Sequence, residues 1–169
     1  MRKYLVHVIC GSTGAGKTTY ARQLSDRMGG VRFSIDEWMS TLFWMDTPRP
    51  LKAAWSMERV NRCLHQIWAV AREVGARGIP CVLDLGFGQA EIRERFYRLA
   101  AESGLAVQLH WLDAPAPARW ERVETRNREG GASRVLPFDV SRDMFDFVES
   151  IWEAPTEGEM VAHDGVRIG

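Results

Sequence analysis

The chain has 169 residues, enough for one α/β domain around a single core and short for a ring-forming ATPase. With 46% hydrophobic and 26% charged residues it has the make-up of an ordinary soluble globular protein. Lys+Arg and Asp+Glu balance at 22 each, which argues against a dedicated binder of long nucleic acids, because such a surface must neutralise many phosphates. Cys10, Cys63 and Cys81 are widely spaced and form neither a metal pattern nor a disulfide framework, so they read as reduced core residues of a cytosolic protein. The histidines His7, His65, His110 and His163 show no ligand spacing. No stretch of about 18 apolar residues exists, so no membrane span is expected. The apolar run after Met1-Arg2-Lys3 is too short for a signal peptide, and a cytoplasmic location is expected; the oligomeric state stays open.

In chain order, Tyr4–Cys10 reads as a buried strand, and Lys17–Met28 as a helix. Between them Gly11-Ser12-Thr13-Gly14-Ala15-Gly16-Lys17-Thr18 fills the phosphate-loop pattern G-x-x-x-x-G-K-[ST], followed by Thr19. Strand, glycine loop and helix is the context this motif needs. The glycines let backbone N–H groups turn inward toward phosphate oxygens. The positive end of the helix dipole adds to them, Lys17 reaches the β- and γ-phosphates, and the Thr18 hydroxyl can hold Mg²⁺. A nucleoside triphosphate is therefore the expected ligand.

After Gly29-Gly30, Val31–Ile35 reads as the second strand, ending at Asp36, which sits near a helix cap and at the carboxyl edge of a parallel strand, where ligands bind. Residues 38–57 are rich in large apolar groups (Trp38, Met39, Leu42, Phe43, Trp44, Met45, Trp55, Met57), with a helix expected to about Met45 and a loop around Pro48 and Pro50. This stretch and residues 86–95 are the expected walls of an acceptor pocket; helix packing or a subunit contact is the other reading of the apolar stretch. Ser56–Arg77 reads as one long helix, with Val60, Leu64, Ile67, Trp68, Ala71 and Val74 inward. Ile79–Asp84 is a short apolar strand ending in an acid, as in the second acidic motif of phosphate-loop proteins. Gln89–Ser103 is a helix, Leu105–Leu112 a fourth strand, and Pro115 to about Arg128 a further helix. On that last helix Arg119, Arg122 and Arg126 share one face. With Arg128, Arg134 and the Gly130-Gly131 break they suggest a hinged, arginine-bearing lid. Asp139–Trp152 is a final amphipathic helix, and Met160–Ala162 with Val166–Ile168 is expected as an edge hairpin around Asp164-Gly165.

The chain resembles the small phosphate-loop kinases grouped with the kinase domain of bacteriophage polynucleotide kinase, chloramphenicol phosphotransferase and the zeta toxins. The resemblance spans nearly all of residues 3–152. It is carried by the phosphate loop, by Asp84, by Leu112-Asp113-Ala114-Pro115, and above all by Arg126-Asn127-Arg128 through Val135-Leu136-Pro137-Phe138-Asp139-Val140 to Met144-Phe145. It implies a P-loop NTPase/kinase three-layer α/β fold. That fold is a mostly parallel five-stranded sheet with helices on both faces, one domain over residues 1–169 and a lid at about 126–137. It also implies roles. Asp36 becomes the general base, Lys17 and Arg126 the cations on the transferring phosphoryl group, and Arg122 and Arg126 nucleotide contacts. Thr18 and Asp84 become the Mg²⁺-side residues, Asp84 holding metal or orienting the acceptor. Met39 stands near where the polynucleotide enzyme carries an active-site arginine, which favours a smaller and less charged acceptor.

The leading expectation is thus an ATP- and Mg²⁺-dependent phosphotransferase acting on a hydroxyl of a small molecule. A polynucleotide or nucleotide-sugar hydroxyl kinase is the second reading. An ATP-binding switch without transfer chemistry is the third, and it would leave Asp36 and the arginine lid idle.

Overall fold

The structure is a computed structural model and describes residues 5–130 and 136–169. The centre of the expected lid, 131–135 with Arg134, lies outside the described residues. In chain order the elements are β1 (Val6–Cys10), α1 (Lys17–Met28), β2 (Val31–Ser34), α2 (Ile35–Phe43), α3 (Ala53–Ala76), β3 (Cys81–Asp84), α4 (Ala90–Glu102), β4 (Val107–Leu112), α5 (Ala116–Glu129), α6 (Arg142–Ile151), α7 (Glu157–Ala162) and β5 (Val166–Ile168). A short 3₁₀ turn, Trp44–Asp46, extends α2.

The five strands form one sheet in the order β2-β3-β1-β4-β5, with every neighbouring pair parallel. The chain leaves β1 for one side of the sheet and later crosses to the other. The loop after β1 therefore sits at the point where the winding reverses, where open α/β sheets bind ligands. Alternation along β1 sends Val6, Val8 and Cys10 to one face and His7 and Ile9 to the other. The first set joins Phe33, Cys81 and Leu83 under α3 and α4, where Leu64, Ile67, Trp68, Phe96 and Ala100 complete the larger core. Ile9, Val82 and Leu112 meet Ala21 and Leu24 of α1 on the opposite face. A third cluster, Val123, Val140 and Phe145, locks α5 to α6.

The sequence-level elements recur with shifted ends, and one is replaced. Met160–Ala162 is not a strand but the end of α7, and β5 pairs parallel to β4 rather than closing a hairpin. The physical reason is the Thr156 hydroxyl, which accepts from the Glu159 backbone N–H at 3.1 Å and starts a helix there. The last long helix begins at Arg142, not Asp139, because Ser141 supplies its cap to Met144 N–H at 3.2 Å. Likewise the cap of α2 is Ser34, which accepts from Glu37 N–H at 3.3 Å, so Asp36 is spared for other work. Cys10, Cys63 and Cys81 are free and buried, and burial pushes the Cys10 thiol up to about 12, which makes it inert packing beside the loop. Among the described residues, no helix is long and apolar enough to cross a membrane.

Candidate active site

Gly11–Thr18 leaves the carboxyl end of β1 and feeds straight into α1. Gly16 caps that helix at φ +92°, a left-handed conformation that favours glycine. The Lys17 ammonium folds back over the loop and donates to the Ser12 carbonyl at 3.0 Å. A cleft of about 600 Å³ opens above. Gly11, Ser12, Thr13, Gly14, Gly16, Lys17, Thr18 and Thr19 form its floor, and Asp36, Asp84 and Arg126 reach it from three further elements. Ala15 instead turns its methyl into the smaller core, and its N–H donates to the Ser12 carbonyl at 3.2 Å.

The two acids arrive from adjacent strands. Asp36 lies in the first turn of α2 and faces the open cleft; Asp84 ends β3 and is buried. Ser34 and Asp84 are register partners across β2 and β3, which brings the acids to the same edge. The Thr18 hydroxyl lies on the same cleft as the Asp84 carboxylate, and the Arg32 guanidinium stands 3.5 Å from Asp84 Oδ2 as an ion pair. Desolvation, then the neighbouring Asp84 charge, pushes the Asp36 carboxyl above its usual range. Desolvation also raises Asp84, against the pull of Lys17 and of the nearby Thr18 hydroxyl. Lys17 is lowered by the same burial, although both acids hold it charged. A base moved toward neutrality suits proton abstraction from an alcohol.

The arginine stripe divides by turn of the helix. Arg126 lines the cleft. Arg122 is exposed and lies outside the loop, 3.5 and 3.4 Å from the carbonyls of Gly14 and Ala15. Arg119 is buried and grips Glu149 of α6, so it is not a surface cation. The Asn127 side chain clasps both polar groups of Val140, donating at 2.9 Å and accepting at 3.1 Å, which ties the end of α5 to the approach to α6.

The two stretches expected as acceptor walls part company. No residue of 38–57 lines the cleft. Trp38, Met39 and Phe43 pack down on the main core, and Trp38, Leu42 and Phe43 border a separate groove with α3. The helical period explains this, because Asp36 and Trp38 point in different directions around α2. Gly86 and Gly88, from the expected 86–95 stretch, do line the cleft beyond Asp84, together with Leu136, Val148 and Trp152. Arg93, in the first turn of α4, is fully buried. It binds Glu159 through Nε and Nη2 at 2.6 and 3.0 Å, and through Nη1 the carbonyls of Phe87 and Glu153 at 3.1 and 2.8 Å. It thereby fastens the glycine wall to the segment that carries Trp152.

The donor set fits Mg²⁺. Thr18 and Asp84 both line the cleft and offer a hydroxyl and a carboxylate oxygen, hard donors of the kind Mg²⁺ takes, while Asp84 Oδ2 also has the Arg32 guanidinium at 3.5 Å as an ion pair without a hydrogen bond. No cluster of three or more acidic, histidine or cysteine ligands exists among the described residues, so such an ion would complete its shell from nucleotide oxygens and water.

A phosphate loop at the reversal point of a five-stranded parallel sheet, with strand-end acids and an arginine-bearing helix over it, defines a kinase-like P-loop NTPase. The AAA_33 family, an AAA domain, matches residues 6–151, and the chain belongs to it. A shikimate kinase of Ruegeria pomeroyi is 29% identical over 123 residues, 71% of this chain; the match covers 57% of that protein. Among solved structures, Chaetomium thermophilum Kti12 in complex with ADP-AlF3 superposes with a TM-score of 0.72 at 19% identity, over 97% of this chain and 88% of that one. A candidate kinase from Chloroflexus aurantiacus gives 0.71 at 17% identity, over 99% and 88%.

Proposed function

We propose that the protein transfers the γ-phosphate of ATP to a hydroxyl group of a small-molecule acceptor. The observation that carries this reading is the convergence of Asp36 and Arg126 on the cleft floored by the phosphate loop. An ATP-binding switch has no use for either. The similarity to a shikimate kinase supports a small hydroxylated acceptor.

In this mechanism the loop N–H groups and Lys17 hold the β- and γ-phosphates. Asp36 accepts the proton of the acceptor hydroxyl as its oxygen attacks the γ-phosphorus in line, and the bond to the β-bridging oxygen breaks. Lys17 and Arg126 neutralise charge on the equatorial oxygens. Thr18 and Asp84 would hold Mg²⁺, which supplies further charge neutralisation on the phosphates. Trp152, Val148 and Leu136 narrow the cleft and keep water from the reacting phosphoryl group.

The test is a screen of hydroxyl-bearing compounds with γ-labelled ATP, run beside Asp36→Asn. Labelled product that depends on Asp36 is expected for a small alcohol. Label passing only to water, at equal rates in both proteins, overturns the reading.

A further inference from the structure

Arg119 and Glu149 form a pair that the transfer mechanism leaves unused. Arg119 Nη1 and Nη2 bind the two Glu149 oxygens at 2.8 and 2.6 Å, a bidentate pair in a buried setting. The same guanidinium donates through Nη1 to the Thr13 carbonyl at 3.1 Å and through Nε to the Ala114 carbonyl at 2.7 Å. Glu149 in turn accepts from the Ser12 hydroxyl. Two successive residues of the phosphate loop are therefore held from outside, Ser12 by its side chain and Thr13 by its carbonyl. The peptide plane gives this grip a consequence. In a trans peptide the carbonyl and the following N–H point opposite ways. With the Thr13 carbonyl drawn out toward Arg119, the Gly14 N–H is turned away from it, to the side where phosphate oxygens would lie. The Arg119 backbone approaches the loop as well, since a Cβ on Gly14 would stand 2.4 Å from the Arg119 main-chain carbonyl oxygen.

We propose that Arg119 and Glu149 are positioning residues that set the phosphate loop in its anion-binding shape, so that α6 contributes to phosphate affinity without touching the phosphate. The inference rests on the reading of Gly11–Thr18 as a polyphosphate site. Neither residue needs to meet the ligand. Glu149 aligns the fork, and the fork aligns the loop. Lysine cannot replace Arg119, because an ammonium has three donors on one atom and the fork serves four separate acceptors, both Glu149 oxygens and the Thr13 and Ala114 carbonyls.

Calorimetric titration of wild type, Glu149→Gln, Glu149→Asp and Arg119→Lys with ADP and with inorganic tripolyphosphate tests this. In Glu149→Gln the two dissociation constants should rise together by about tenfold, the loss expected for one charge-assisted hydrogen bond. Arg119→Lys should lose at least as much, and Glu149→Asp should recover part of the loss. Each titration is run well below the variant's own unfolding midpoint. Unchanged affinity for both probes in folded variants overturns the inference and leaves the kinase reading intact. Weakened ADP with unchanged tripolyphosphate also overturns it, because the pair would then act on the nucleoside side. A wild-type protein that binds neither probe removes the kinase reading and the inference with it.

Discussion

The Tyr20 hydroxyl and His110 Nδ1 stand 2.8 Å apart, and His110 Nε2 lies 3.0 Å from His7 Nδ1. This chain of polar groups runs between α1 and the sheet, with both imidazoles buried. Burial, then His7 and Arg27, pushes His110 down to about 3. The group is neutral in the fold and takes up a proton in the unfolded chain below about pH 6.5. Its stabilising contribution is full above that pH and is lost as pH falls from 6.5 toward 3. Urea unfolding at steps between pH 7.5 and 5.0 should show a slope approaching about 1.4 kcal/mol per pH unit from this group. His110→Gln should flatten the profile; parallel profiles for the two proteins would refute the assignment.

Gly14→Ala should damage both fold and site. The residue sits at φ +79°, and the new methyl would meet the Arg119 carbonyl. A loss of about 2–4 kcal/mol in urea unfolding is expected, together with weaker ADP binding by calorimetry.

Asp36→Asn should keep ATP affinity within a few-fold and lower transfer by about 10²–10⁴, the range for a missing general base. Single-turnover measurement with γ-labelled ATP separates the two. Transfer at the wild-type rate would show that another group takes the proton.

Arg126→Ala should lower the turnover number by about 10²-fold while ADP affinity moves little, because its cation acts on charge that grows during transfer. An unchanged turnover number would move this role to Arg122 or Arg128.

Asp84→Asn should remove the gain in ATP affinity that Mg²⁺ gives, measured by titration with the ion and with a chelator. An undiminished gain would leave Asp84 as a group that orients the acceptor.

What could be read from the chain follows how local each signal is. The phosphate loop is consecutive, and Asp36 and Asp84 each follow a short strand pattern, so position along the sheet edge follows from winding alone. Arg119 and Arg126 look alike in sequence because they share one helix face. Only packing of the first turn of α5 against Gly14 makes one a buried brace and leaves the other at the cleft. Trp152 and Glu149 carry no local pattern, since their neighbours are brought to them by the fold. The α7 helix was legible in Thr156 and Glu159, a capping-box spacing, but the brief apolar run Met160–Ala162 suits strand and helix alike.

The bond between Arg93 and Glu159 also fixes where the domain can be trimmed. The family match stops at residue 151. A chain cut there would strip Arg93, at zero exposure, of the Glu159 carboxylate and the Glu153 carbonyl together. An uncompensated buried guanidinium costs about 3–5 kcal/mol, and Trp152 would leave the cleft with it. Residues 152–159 are a structural part of the domain rather than a tail, and an ion pair, not the reach of sequence similarity, marks the domain's working boundary.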